Sequence, residues 1–160
     1  MDTIFGSIYS WFLSLFGDDL GYYLWGYNPV TATYSNPNIY NIVGIITLAV
    51  SFVLVIVFYY IFNHPRFCKW WSWLITLGVN AIIGLFIGYG IVYSKYINGF
   101  IPLQLMYQYD EQGNIIANLI GEGNCWGFGI ANLIVSILFF VVFTFLCKWG
   151  SSNAKHVPFL

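Results

Sequence analysis

Residues 42–62 read IVGIITLAVSFVLVIVFYYIF, a run without a single Asp, Glu, Lys, Arg or His. Wound as a helix at ~1.5 Å per residue, it covers a hydrocarbon core of ~30 Å. Two further runs share this property, Trp70 to Tyr93 and Trp126 to Cys147. The chain therefore reads as an integral membrane protein with three spans. Composition agrees, because 59% hydrophobic and 7% charged residues leave a 160-residue chain too little polar surface to face water as a soluble domain.

The few charges are sorted. Arg66, Lys69, Lys148 and Lys155 fall in two stretches that contain no acid, whereas Asp2, Asp18, Asp19, Asp110, Glu111 and Glu122 fall in the others, with Lys95 as their one cation. Basic residues beside short loops mark the cytoplasmic side, which predicts an N-out, C-in order. Tryptophan gives a second marker, since an indole prefers the headgroup level, where its ring is buried and its N–H is wet. Trp70, Trp71, Trp73 and Trp149 fall at the expected inner interface and Trp126 at the outer one, with Trp11 and Trp25 ahead of the first span. Tyr59, Tyr60, Tyr93 and Tyr96 fall near span ends in the same way.

The organisation expected is a single membrane domain over 1–160. It divides into an outer segment (1–41), spans at 42–62, 70–93 and 126–147, an inner loop (63–69), an outer loop (94–125) and an inner tail (148–160). Ile4 to Phe16 is too short to cross comfortably. It places Thr3, Ser7, Ser10 and Ser14 on one side and Ile4, Ile8, Trp11, Phe12 and Leu15 on the other, which predicts an amphipathic helix lying on the outer leaflet. The rival reading is a re-entrant or short fourth span. A cleaved signal peptide is disfavoured, because no basic residue or small-residue cleavage site precedes the acids. Gly21 to Asn41 is rich in Tyr, Asn and Gly, with turns expected at Asn28-Pro29 and Asn36-Pro37. In the outer loop, Leu103, Leu105, Tyr107 and Tyr109 alternate with Gln104, Met106 and Gln108, Asp110 to Gly113 reads as a turn, and Asn114 to Ile120 can return. That predicts an external β-hairpin packed on the aromatic N-terminal region or on another subunit. The fold class is thus an all-α integral membrane protein with three transmembrane helices, an N-terminal interfacial amphipathic helix and a small external β-hairpin cap.

Helices in lipid meet through small residues and hydrogen bonds. Gly84 and Gly88 make a small-xxx-small step that Asn80 extends, forming a close-approach face toward this chain's own spans or toward another subunit. Counted from the inner end, Asn80 and Ser51 both lie ~15 Å deep, and Asn132 and Thr47 both ~22 Å deep. Each amide is expected to find its hydroxyl partner on the first span.

The search for chemistry returns little. The spans hold no ionisable group for a proton relay or coupled transporter, and the chain has no phosphate loop, nucleophile and base, or facing carboxylates. No basic patch is large enough for nucleic acid. His64, Cys68, Cys147 and His156 share the inner side and could tie the loop to the tail through zinc, but their spacing matches no tight metal knuckle, and the expectation is no metal and no cofactor. Cys125 is the one external thiol, expected to react from outside. Usage rich in Asn, Tyr, Ile and Phe suggests a bacterial, A/T-rich genome, and the expected location is the cell inner membrane. Three function classes remain from this reading, the least favoured being an enzyme, for want of any nucleophile and base. The first is a non-enzymatic subunit that anchors a larger assembly within the lipid bilayer, docking other protein subunits through its aromatic outer cap or its last residues, Val157, Pro158, Phe159 and Leu160. The second is a homo-oligomeric, holin-like pore.

Overall fold

A computed structural model describes residues 4–61 and 69–150. The chain begins with three short helices, α1 (Ile4–Ser10), α2 (Leu13–Phe16) and α3 (Asp18–Trp25), followed by a two-stranded ribbon of β1 (Tyr27–Asn28) and β2 (Thr33–Tyr34). The first long helix, α4 (Ile39–Ile56), starts where the Asn38 side chain accepts a hydrogen bond from the Asn41 N–H, and it ends in a π-helical turn over Val57–Ile61. The second, α5 (Trp70–Ile97), leads through α6 (Leu103–Met106) into β3 (Tyr107–Tyr109) and β4 (Ile115–Asn118). The third, α7 (Glu122–Cys147), ends in a 3-10 turn at Lys148–Gly150. The segments Ile39–Ile61, Trp70–Ile97 and Glu122–Gly150 are long and apolar enough to cross a membrane, and they mark a multi-pass membrane protein.

α5 and α7 pack antiparallel along their length, from Trp73 beside Thr144 at one end to Tyr89 beside Trp126 at the other. The approach depends on missing side chains. A Cβ on Gly84 would stand 2.5 Å from the Ser136 hydroxyl, one on Gly88 would stand 2.7 Å from Asn132 Cβ, and one on Gly129 would stand 3.1 Å from Tyr89 Cβ. The Gly84–Gly88 face is therefore turned toward this chain's own third helix. α4 lies alongside α7 and α5. Lys69 and Lys148 thus share one end of the bundle, while Asp18, Asp19, Asp110, Glu111 and Glu122 belong to elements at the other.

The N-terminal segment departs from the expected helix lying flat on the outer leaflet. α2 backs onto α7, where a Cβ on Gly127 would collide with the Leu15 carbonyl, and α1 continues down the bundle. Phe16 meets Phe128 edge-on at 5.3 Å between ring centroids, and Phe5 meets Phe139 at 6.2 Å. Eleven α7 residues separate Phe128 from Phe139, which is ~16 Å of helix. α1 and α2 therefore run antiparallel to α7 as a fourth packed segment. The inward face is Phe5, Gly6, Tyr9 and Phe16, and Ile4 and Trp11 point outward. Of the apolar face predicted from serine spacing, Ile8 and Phe12 pack on the core while Ile4, Trp11 and Leu15 are exposed, because Gly6 and Tyr9 fit the groove most closely: Trp25 occupies the space above Gly6, and Tyr9 stacks on Tyr40 at 5.3 Å.

The cap forms over the acidic end. Leu105, Met106, Ile101 and Ile120 enter one apolar cluster with Leu20, Tyr23 and Leu24 of α3. The hairpin is present but starts later than the alternation suggested. Leu105 and Met106 are both buried, which a strand with period 2 forbids, and their N–H groups return to the Pro102 carbonyl as a helical turn. β3 pairs antiparallel with β4 as Tyr107 with Asn118 and Gln108 with Ala117, before a bulge. Asp110 closes the turn by accepting the N–H groups of Gln112 (2.9 Å) and Asn114 (2.8 Å), and these bonds hold its carboxyl below the ordinary range. The β1–β2 ribbon was not anticipated. Cys125 is fully buried in the cap cluster, so its thiol is shielded rather than open to reagents. Trp73 is likewise buried between helices instead of anchoring at the interface.

If the α2–α7 contact holds the N-terminal segment in place, Gly127→Ala should lower the thermal midpoint in detergent by several degrees, an overpacking cost of about 1–3 kcal/mol. Gly123→Ala is the control, since a Cβ there meets nothing within 4 Å. Equal midpoints for the two variants would show that α2 does not bear on Gly127.

Candidate functional site

The buried polar side chains of the three long helices are Thr47, Ser51, Asn80, Asn132, Ser136 and Thr144. All six turn inward and form one seam. Asn132 is its centre. The Nδ2 group donates to the Gly84 carbonyl (2.7 Å) and to the Thr47 hydroxyl (3.0 Å), and Oδ1 accepts from Thr47 (3.1 Å) and from the Tyr9 hydroxyl. An amide offers two donors and two acceptor sites, so Asn132 is saturated. Its partners come from α1, α4 and α5, so one side chain on α7 joins all four packed segments.

One to two turns deeper, Asn80 Nδ2 donates to the Ser136 carbonyl (2.8 Å), and the Ser51 hydroxyl reaches the same carbonyl at 3.5 Å. Asn132 thus meets Thr47, as depth matching suggested, whereas Asn80 does not meet Ser51. Equal depth is necessary for a pair but not sufficient. The glycine face of α5 brings α7 closer to Asn80 than α4 comes, and a main-chain carbonyl of α7 takes the donor. Ser136 donates its own hydroxyl to the Leu133 carbonyl at 2.8 Å. Near the cationic end, Trp73 Nε1 donates to the Thr144 hydroxyl at 3.2 Å. Asn80 Oδ1 and the Tyr40 hydroxyl are buried with no hydrogen-bond partner among the described residues.

Sequence reasoning missed Tyr9, Ser136, Thr144 and Gly127. The available signal was the run of glycines at 121, 123, 127 and 129, which opens α7 to close neighbours on two sides. Among the described residues, no three His, Cys, Asp or Glu side chains gather where a metal ion could be held. Of the inner-side set only Cys147 is described. His64, Cys68 and His156 lie outside the described residues, as do Arg66, Lys155 and the expected docking end Val157, Pro158, Phe159 and Leu160. Among the described residues the seam consists of amides, hydroxyls and main-chain carbonyls that hydrogen-bond between helices. Comparison with protein-family models, with curated proteins and with solved structures finds no match for this chain.

Asn132→Leu would strand the Tyr9 hydroxyl and the Gly84 carbonyl together, and should lower unfolding free energy by about 2 kcal/mol in an SDS titration of the micelle-embedded chain. Ser51→Ala removes only a long bond and should cost under about 0.5 kcal/mol. Equal costs for the two variants would remove Asn132 from the centre of the seam.

Proposed function

We propose that this chain is a non-enzymatic integral membrane subunit that anchors or scaffolds a larger membrane-associated assembly, of the secretion, injection, respiratory or defence kind. The observation that supports this reading is the use of the seam. Each of the six buried polar side chains of the long helices makes a hydrogen bond inside the protein, with Asn80 Oδ1 as their one open buried atom, so they form no continuous free polar stripe beside which water could run. A bundle tied in this way suits a static anchor better than a pore or a gated element. The surface left outside the seam is aromatic and aliphatic, including Tyr34, Phe100, Leu103, Ile115 and Ile116 of the cap.

The orientation belongs to the same proposal. The end carrying Lys69 and Lys148 faces the cytoplasm, and the capped, acidic end faces outward, in the inner membrane of a cell. Phe5 lies beside Phe139, so α1 runs alongside the middle of α7. α1 and α2 then act as a short membrane-inserted segment packed on α7, and the three spans keep the N-out, C-in order that the charges predict. Val157, Pro158, Phe159 and Leu160 are the proposed docking end for cytoplasmic partners, and the cap serves external ones.

Expression of the chain alone should leave membrane potential and dye exclusion intact, because an anchor conducts nothing without its assembly. Removal of residues 150–160 should leave membrane insertion unchanged while partners no longer co-purify from the native membrane. Prompt depolarisation by the wild-type chain alone would overturn the reading in favour of a homo-oligomeric pore.

A further inference from the structure

At the acidic end of the bundle, α5 and α7 build an arrangement that the seam does not use. Glu122 and Trp126 stand four residues apart on α7, one turn above the other on the same face. Tyr89 of α5 stacks on the Trp126 indole with ring centroids 4.2 Å apart and planes at 25°, and its hydroxyl donates to Glu122 Oε1 at 3.3 Å. Tyr93 continues the stack at 5.0 Å and Tyr96 at 6.3 Å. Gly129 makes this possible, because Tyr89 packs directly over the position its side chain would fill.

The carboxylate in this column has no cation of its own. Lys95 is the one described cation at this end, and its ammonium lies over the Phe100 ring at 4.7 Å. Glu122 and Trp126 are both exposed, so an anion and a partly exposed indole stand side by side on the outside of the bundle. The negative face of an aromatic ring and a carboxylate attract the same partner, an organic ammonium cation.

We propose that Glu122, Trp126 and Tyr89 form a binding site for the ammonium group of a phospholipid headgroup. Depth selects this occupant. Trp126 is the first residue of the charge-free run Trp126 to Cys147, which puts the indole where hydrocarbon gives way to headgroups. The ring column follows the flank of α5 instead of standing out into water, so a lipid already aligned with the helix brings its ammonium to the site without folding or docking. The site rests on the membrane reading of α5 and α7 but not on any anchoring role.

The test is native mass spectrometry of the full chain in mild detergent, titrated with phosphatidylethanolamine or with phosphatidylglycerol of the same acyl chains, which lacks the ammonium. Wild type should retain phosphatidylethanolamine about tenfold better, and Glu122→Gln and Trp126→Leu should each erase most of that preference. Glu111→Gln, in the exposed hairpin turn, should change nothing. Each variant must retain the wild-type thermal midpoint, and a Glu122→Gln chain that melts early is replaced by Glu122→Asp, which shortens the carboxylate reach and should weaken the preference in part. Equal retention of the two lipids by wild type overturns the proposal, as does a preference that survives Glu122→Gln. Binding of a lysine-rich peptide in place of either lipid, lost in Glu122→Gln, would also overturn it and assign the site to a basic protein partner.

Discussion

The Asn132 amide is the interaction on which the rest of this structure depends. Hydrocarbon offers no hydrogen bonds, so a buried amide must find two donors and two acceptors' worth of partners inside the protein or carry the cost of leaving them open. Asn132 finds them on three other segments, and each bond fixes one of them: Gly84 sets the height of α5, Thr47 that of α4, and Tyr9 that of α1. Apolar side chains cannot set such heights, because sliding one greasy helix past another in lipid changes little. The small residues follow from the same requirement. Gly84, Gly88 and Ser136 are what allow α5 and α7 to approach closely enough for amides to reach main-chain carbonyls.

Tyr9 carries this order from the bundle to the cap. Its hydroxyl ends in the seam while its ring stacks on Tyr40 and tilts against Phe128 at 5.3 Å, in the same cluster as Phe16, Leu20, Leu24, Ile101 and Ile120. A second, smaller cluster of Val55, Phe58, Tyr59, Trp73 and Phe140 closes the opposite end around Thr144. The polar seam therefore runs between two aromatic plugs. That arrangement fits the anchor proposed above, whose described apolar surfaces include the cap and the rim around Trp126.

What could be read from the sequence followed the strength of each physical signal. Charge-free runs located the long helices because inserting Asp or Lys into lipid costs so much that its absence is informative. The Asp110 turn was legible because a short-range side-chain bond closes it locally. The position of α1 and α2 was not legible. Serine spacing pointed to a surface helix, yet the segment docks through Gly6 and Gly127, and a missing side chain leaves no mark on a hydrophobic pattern. Asn132 with Thr47 could be paired from depth alone, whereas Asn80 could not, because its partner is a backbone carbonyl whose availability depends on how close two helices come. Trp73 shows the same limit, since membership of a span says nothing about which face is inward, and Cys125, read as part of the outer loop, lies inside α7 and is buried.

The central claim is that α1 and α2 enter the bundle as a fourth segment tied to the seam. It is tested most directly by measuring depth along that segment. Nitroxides placed one at a time at Ile4, Trp11 and Asp18, in a reconstituted chain with Cys68, Cys125 and Cys147 replaced by Ala, report depth through the ratio of oxygen to nickel-reagent collisions. Ile4 and Trp11 both point away from the bundle, so the labels should not disturb packing. The account predicts that the ratio rises steadily from Asp18 through Trp11 to Ile4, with Ile4 deep in hydrocarbon. A common shallow depth at all three positions would mean that the segment lies on the membrane surface, and would contradict the account.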